Sequence, residues 1–261
     1  MIQTLIIALI FFIIIKHRFF WEVPGQLRFN DPTPFLIAHR GYKKVCAENS
    51  LGSFIDAQQI GFQWIELDIV STKDKVVVCS HNFDLERETT GKGFITDLRY
   101  NDLKPIIAEH NKEKKGLNIL PKLIDVFQKL DSDIKINIEV KAPYALDFRT
   151  ARALSKVLNK LPTKRIIISS FNPFVILYFK LFHREIITGF LFQNLEYLWF
   201  VNWIHPSYIH PRADLLNDDL IHWAKEKNMG INVWTVNNMP ALQWCRDKKV
   251  DGIITDLGVI K

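Results

Sequence analysis

Trp64-Ile65-Glu66-Leu67-Asp68-Ile69, Ser71-Thr72-Lys73-Asp74-Lys75 and Val76-Val77-Val78-Cys79 follow one another with only Val70 interposed. The outer two runs are apolar and rich in β-branched residues, and the middle one is polar, so the stretch reads as strand, turn, strand. A crossover between parallel strands takes about a dozen residues or more, and Ser71–Lys75 is far too short for one. The two strands therefore pair as an antiparallel hairpin turning near Lys73-Asp74. Counting outward from that turn sets His81 opposite Asp68.

Seven further runs read as strands: Phe35–Ala38, Ile134–Val140, Ile166–Ser169, Ile186–Phe192, Ser207–His210, Ile231–Val236 and Gly252–Thr255. Helix-length amphipathic stretches lie between most of them: Leu51–Ile60, Pro121–Leu130, Leu146–Leu161, Pro173–Phe182, Asp214–Lys227 and Met239–Lys248. Nine strands are one too many for an eight-stranded barrel. Setting the hairpin arm aside leaves eight parallel strands, and the expected fold is a (β/α)8 TIM barrel over residues 35–261. Residues 83–118 break the period, with Gly91, Gly93 and the charged run Lys112–Lys115, and read as a small insertion over the barrel mouth.

Chemistry-bearing residues fall at the ends of these strands. His39 and Arg40 follow the first, Glu66 and Asp68 end the second, His81 follows the hairpin arm, and Glu139 and Lys141 close the next parallel strand. Carboxylates at i and i+2 share one face of a strand, where both can reach one hard cation. Glu139 completes a three-carboxylate set suited to Ca²⁺ or Mg²⁺. Arg40 and Lys141 suit the remaining charge of a phosphate. Two histidines titrating near neutrality can serve as general acid and general base. Any one of these residues alone is more often a cap or a satisfied core group. Their convergence on one barrel mouth reverses that reading.

Across nearly all of residues 35–261 the chain resembles the glycerophosphodiester phosphodiesterase family. The resemblance is carried by His39-Arg40-Gly41 with Glu48-Asn49, Glu66-Leu67-Asp68, Ser80-His81, Leu85-Glu86-Arg87, Pro121-Lys122-Leu123, Ile138-Glu139-Val140-Lys141, Val233-Trp234-Thr235-Val236-Asn237 and Asp251-Gly252-Ile253-Ile254-Thr255-Asp256. It implies metal-dependent hydrolysis of a glycerophosphodiester to glycerol 3-phosphate and an alcohol. His39 and His81 would be the acid–base pair, Glu66, Asp68 and Glu139 the cation ligands, and Arg40 and Lys141 the charges on the phosphorane. Glu48, Asn49 and Trp234 are the expected substrate contacts. Two departures stand out. Asn82 occupies a position usually held by aspartate, which leaves the charge behind His81 to a neighbour such as Asp84. Glu88 replaces a usual threonine and reads as a minor change.

The 261 residues are 48% hydrophobic with a formal charge of +6, enough to bury one large core. The basic excess is spread along the chain and fits an anionic substrate without marking a nucleic-acid site. Cys46, Cys79 and Cys245 are odd in number and widely spaced, which excludes a disulfide framework and a CxxC metal site.

Residues 1–21 are unlike the rest: Ile2–Ile15 is almost wholly apolar, followed by Lys16-His17-Arg18 and Phe19-Phe20-Trp21. An uncleaved membrane anchor is expected, followed by a connector over residues 22–34. A signal peptide, and hence export, is the rival. It lacks a basic leading region and a small-residue cleavage site. Positive charge after the apolar run places the catalytic portion in the cytoplasm. An anchored enzyme would also meet lysophospholipids, so lysophospholipase D is the close alternative. A non-catalytic barrel that binds phosphodiesters at the membrane is the third reading, supported only by Asn82. The aromatic cluster Tyr197, Trp199, Phe200 and Trp203 is expected on the barrel exterior or in the bilayer surface.

Overall fold

The computed structural model describes residues 2–44, 46–104 and 120–258. Helix α1 (Ile2–Phe19) precedes β1 (Phe35–Ala38), α2 (Leu51–Gln59), β2 (Trp64–Ser71), β3 (Val77–Cys79), α3 (Leu123–Lys129), β4 (Lys135–Val140), α4 (Arg149–Val157) and β5 (Ile166–Ser170). Then follow α5 (Pro173–Phe182), β6 (Ile187–Phe192), α6 (Leu198–Ile204), β7 (Tyr208–Pro211), α7 (Asp218–Glu226), β8 (Gly230–Val233), α8 (Met239–Asp247) and β9 (Gly252–Thr255). Eight strands are parallel and closed, in the order β1-β2-β4-β5-β6-β7-β8-β9 and back to β1. This is the TIM barrel read from the strand count.

The ninth strand, β3, is the antiparallel hairpin arm. It takes over the edge of β2 where the short β1 stops: β1 pairs with Trp64 and Ile65, and β3 with Ile69 to Ser71. The register is one residue off the expectation. Ile69 faces Cys79, and Ser80 N–H donates to Asp68 O at 3.0 Å, so Ser80 rather than His81 stands across from Asp68. The cause is the turn. Lys73-Asp74-Lys75 is a three-residue loop with Lys75 left-handed (φ 67°), closed by Thr72 against Val76. An odd loop shifts the pairing by one.

The barrel interior alternates small with large residues on neighbouring strands. A Cβ on Gly189 of β6 would lie 2.5 Å from His210 Nε2 of β7, and one on Gly230 of β8 would lie 2.1 Å from the Tyr208 ring. Both glycines are the space into which those side chains pack. Helices α2, α3 and α4 bury one face each against the outside of β2 and β4, with Phe54, Val126 and Leu154 fully covered.

Two segments lie outside the strand–helix repeat. Within 83–104, Leu85, Ile95, Tyr100 and Leu103 form a small core with Val70, Val78 and Leu120 on the outer face of the hairpin, and none of these residues lines the barrel mouth. The run Lys112–Lys115 lies outside the described residues. The connector 22–34 packs against the barrel. Val23 and Leu27 are buried, Asp31 accepts from Trp64 Nε1 at 2.8 Å and pairs with Lys135, and Arg28 pairs with Asp251. These partners stand at the starts of β2, β4 and β9, so the segment seals the N-terminal end of the barrel.

Candidate active site

Strand register builds the acidic cluster. Asp68 of β2 and Glu139 of β4 are direct partners in adjacent parallel strands, and Glu66 lies two residues before Asp68 on the same face. The three carboxylates place oxygens within 4.8 Å of one another and are 3%, 1% and 7% exposed for Glu66, Asp68 and Glu139. Lys141 answers two of them, at 2.8 Å from Asp68 Oδ1 and 2.5 Å from Glu139 Oε1.

A tight turn after β1 brings the other cation. Arg40 is left-handed (φ 56°) and Gly41 follows at φ 78°, where a Cβ would meet the Ser53 backbone at 2.7 Å. The turn aims Arg40 N–H at Glu66 Oε2 (2.8 Å), its Nη1 at Glu48 Oε1 (2.6 Å) and its Nε at Asp68 Oδ2 (3.2 Å). Asn49, also left-handed, donates from Nδ2 to Asp68 Oδ2 and accepts the Asp68 backbone N–H, both at 2.9 Å. Asn49 is thus buried behind Asp68, off the cavity wall, and Glu48 is occupied by Arg40 and by Lys43 at 3.5 Å. Neither of these two lines the cavity.

His39 is held by a residue from the far end of the chain. Ala38 pairs with Thr255 across the β1–β9 seam, so the next residues, His39 and Asp256, meet: Nδ1 lies 2.8 Å from Asp256 Oδ1. Lys43 Nζ (3.0 Å) and Asn237 Nδ2 (2.6 Å) also bind Asp256. Asp256 was legible only as part of a motif. The signal that assigns it a task is barrel closure, which makes the first and last strands neighbours. His81 reaches the same site from β3, with Nδ1 3.2 Å from Asn82 Oδ1, and Asn82 Nδ2 donates to Glu88 Oε1 at 2.6 Å. Asp84, the expected support, is instead paired with Arg87 at 3.1 Å.

The charges shift one another. Burial, and then the neighbouring carboxylates, hold Glu66 well above the usual range, and Glu139 is also raised, chiefly by burial. Burial raises Asp68 too, but Lys141 and Arg40 outweigh it and keep Asp68 low. Burial, then Lys141, push His81 down to about 4. Burial and the Glu48 carboxylate hold Glu88 up to about 7.

These groups form the charged half of one cavity of about 670 Å³ at the C-terminal end of the barrel. His39, Arg40, Glu66, His81, Glu139 and Lys141 line that half. Phe171, Phe174, Leu191, Tyr197, Phe200 and Trp234 line the other. Trp234 stands edge-on to Phe171, its Nε1 donating to His210 O at 2.7 Å. The aromatic cluster expected outside is therefore divided: Tyr197 and Phe200 face the cavity, whereas Trp199 and Trp203 are exposed.

Residues 39–257 match the model of the glycerophosphoryl diester phosphodiesterase family. The chain belongs to that family. It is 31% identical over 226 residues to a glycerophosphodiester phosphodiesterase of Caldanaerobacter subterraneus, covering 85% of this chain and 93% of the relative. A solved glycerophosphodiester phosphodiesterase of Thermotoga maritima matches at TM-score 0.71 and 28% identity, over 87% and 96% of the two chains. A phosphodiesterase of Oleispira antarctica, solved with sn-glycerol-3-phosphate, shares the fold at TM-score 0.78 and 24% identity, over 85% and 93%. A shorter match, 31% over 131 residues, joins 48% of this chain to 41% of a human lysophospholipase D. With the family comes the reaction class, hydrolysis of a phosphoric diester.

Proposed function

We propose that the chain is a metal-dependent glycerophosphodiester phosphodiesterase that releases glycerol 3-phosphate and an alcohol. The observation that carries this reading is the division of one cavity into a half lined by Glu66, Glu139, two histidines and two cations, with Asp68 buried beside the two carboxylates, and a half of apolar walls. The donor set fits a cation. Among the described residues the three buried carboxylates meet two cations, Lys141 and Arg40, the raised pKa of Glu66 and Glu139 reflects carboxyls short of positive charge, and all-oxygen donors suit Ca²⁺ or Mg²⁺. Glu66, Asp68 and Glu139 would hold the ion, which supplies positive charge against phosphate oxygens and activates water.

The remaining steps belong to the chain's own groups. Arg40 and Lys141 meet the charge that grows on the phosphorus oxygens. His81, kept neutral at pH 7 by its low pKa, accepts the proton of the attacking hydroxyl. His39, fixed through Nδ1 by Asp256, passes a proton from Nε2 to the departing oxygen, which leaves as the alcohol. Trp234 and Phe171 pack the glycerol or its substituent.

The lysophospholipid reading draws on the apolar half of the cavity. The course of α1 weighs against it. The helix, 18 residues or about 27 Å long, matches most of the ~30 Å hydrocarbon core. We read it as an uncleaved anchor with the barrel in the cytoplasm. Its ties run through His17 to Trp203 O and from Lys227 to Phe19 O, beside the starts of β7 and β8. That is the barrel end opposite the cavity, an arrangement suited to water-borne deacylated diesters.

A panel of glycerophosphodiesters and lysophospholipids, titrated with Mg²⁺ and Ca²⁺, tests both readings. We expect choline or ethanolamine release from the deacylated diester, and loss of turnover in His39→Ala and Glu66→Ala. Turnover retained in either variant would overturn the site. Binding without turnover on every diester would make the barrel a non-catalytic receptor.

A further inference from the structure

His81 is backed by a line of side chains that leads away from the cavity. Asn82 Oδ1 faces its Nδ1 at 3.2 Å, Asn82 Nδ2 donates to Glu88 Oε1 at 2.6 Å, and Glu88 in turn lies against Glu48, the partner of Arg40. Glu88 is half-buried and does not line the cavity. We propose that Glu88 is a positioning residue for His81, acting through the Asn82 amide to decide which ring nitrogen carries the proton. The proposal rests on the reading of His81 as proton acceptor given above.

Donors and acceptors along the line fix its direction. An asparagine side chain has a donating end and an accepting end, and either could meet an imidazole nitrogen. An ionised carboxylate only accepts, and a Glu88 that carries a proton can direct it to Glu48 while its other oxygen still accepts from Asn82. Glu88 therefore captures the NH2 end of Asn82 and turns the carbonyl toward His81. Only an N–H can meet that carbonyl, so the ring proton sits on Nδ1 and the lone pair on Nε2. Without Glu88, nothing in this line distinguishes the two ends of the amide. The other nearby acid, Asp84, is taken up by Arg87. Glu48, His81 and Glu88 also bring donor atoms within 4.8 Å of one another, but Arg40 and Lys43 already supply the positive charge beside Glu48.

Such a relay predicts an unusual pattern among variants. In Glu88→Ala the amide is released and kcat falls about 10- to 100-fold, the range for loss of a residue that orients a functional histidine, with KM little changed. Asn82→Asp alone sets a second carboxylate against Glu88 and also loses activity. In the double variant the carboxylate introduced at position 82 meets His81 Nδ1 directly with no acid opposing it, and kcat returns to within about threefold of the parent. A role confined to stability would give losses that add. Additive losses in the double variant would overturn the proposal, as would Glu88→Ala with unchanged kcat. Should Glu88→Ala lower Tm sharply, Glu88→Gln replaces it in the same cycle. It keeps the side-chain volume but can present either end to Asn82, and we expect a smaller loss again relieved by Asn82→Asp.

A second readout needs no turnover. Long-range ¹H–¹⁵N spectra of the folded full-length chain should show His81 as the Nδ1–H tautomer, shifting to a mixture in Glu88→Ala. A parent that turns over no diester would overturn the proposed function, and the tautomer spectra would still decide the relay. A His81 tautomer unaffected by Glu88→Ala would sink it.

Discussion

Asp256 holds His39 by one ring nitrogen and Lys43 by the same oxygen. Burial alone would raise its pKa, but the bonds from His39 and Lys43 outweigh burial and keep the carboxyl well below the usual range. A carboxyl depressed in the folded state contributes stability above its unfolded pKa of about 3.9, and loses it as pH falls below that value. Asp256→Asn should therefore flatten the loss of stability on acidification below about pH 4, read by denaturant melts across pH. An unchanged acid slope would refute the assignment. Glu66 and Glu139 work with the opposite sign. Their raised pKa values mean that the metal-free protein loses stability as pH climbs through neutrality, because buried carboxylates must ionise together. An added cation relieves this and displaces the protons. Ca²⁺ or Mg²⁺ should raise Tm more at about pH 8 than at about pH 6, with proton release visible in calorimetry across buffers. A Tm gain independent of pH would contradict it.

At the scale of the element, period and spacing made the nine strands legible, because parallel barrel strands are short apolar runs and only one gap was too short for a crossover. The acid pair on β2 and the Glu139–Lys141 pair on β4 were legible for the same reason, since i and i+2 share a face. The hairpin register was not, because it depends on how many residues the turn holds, and Lys75 adopts a left-handed turn without being glycine. Nor were Phe171, Phe174, Tyr197 and Phe200, which reach the cavity from loops and helix starts and carry no spacing signal of their own. Glu88 read as a minor change because its bond to Asn82 spans six residues of irregular chain. Small residues inside the barrel give a further test. Gly189→Ala drives a methyl against His210 and should cost about 1–3 kcal/mol in chemical denaturation, as overpacking does. A neutral substitution would mean that His210 has room to move.

The whole molecule joins a barrel sealed below by residues 22–34 to an apolar helix that contributes nothing to the cavity. Cutting the chain after Phe20 should release it from membranes while diester turnover is kept. Cutting after Pro34 also strips Val23, Leu27 and Asp31 from the core and should lower Tm by several degrees. Equal Tm for the two truncations would show that the seal is idle. The β1–β9 seam has a consequence in time as well as in space. His39 leaves the ribosome early, and its carboxylate partner follows 217 residues later. A nascent chain extended only through β8 has its acidic cluster in hand but an open stave and an unheld histidine. On the role proposed for His39, hydrolysis would wait for β9, the strand that carries Asp256 to it.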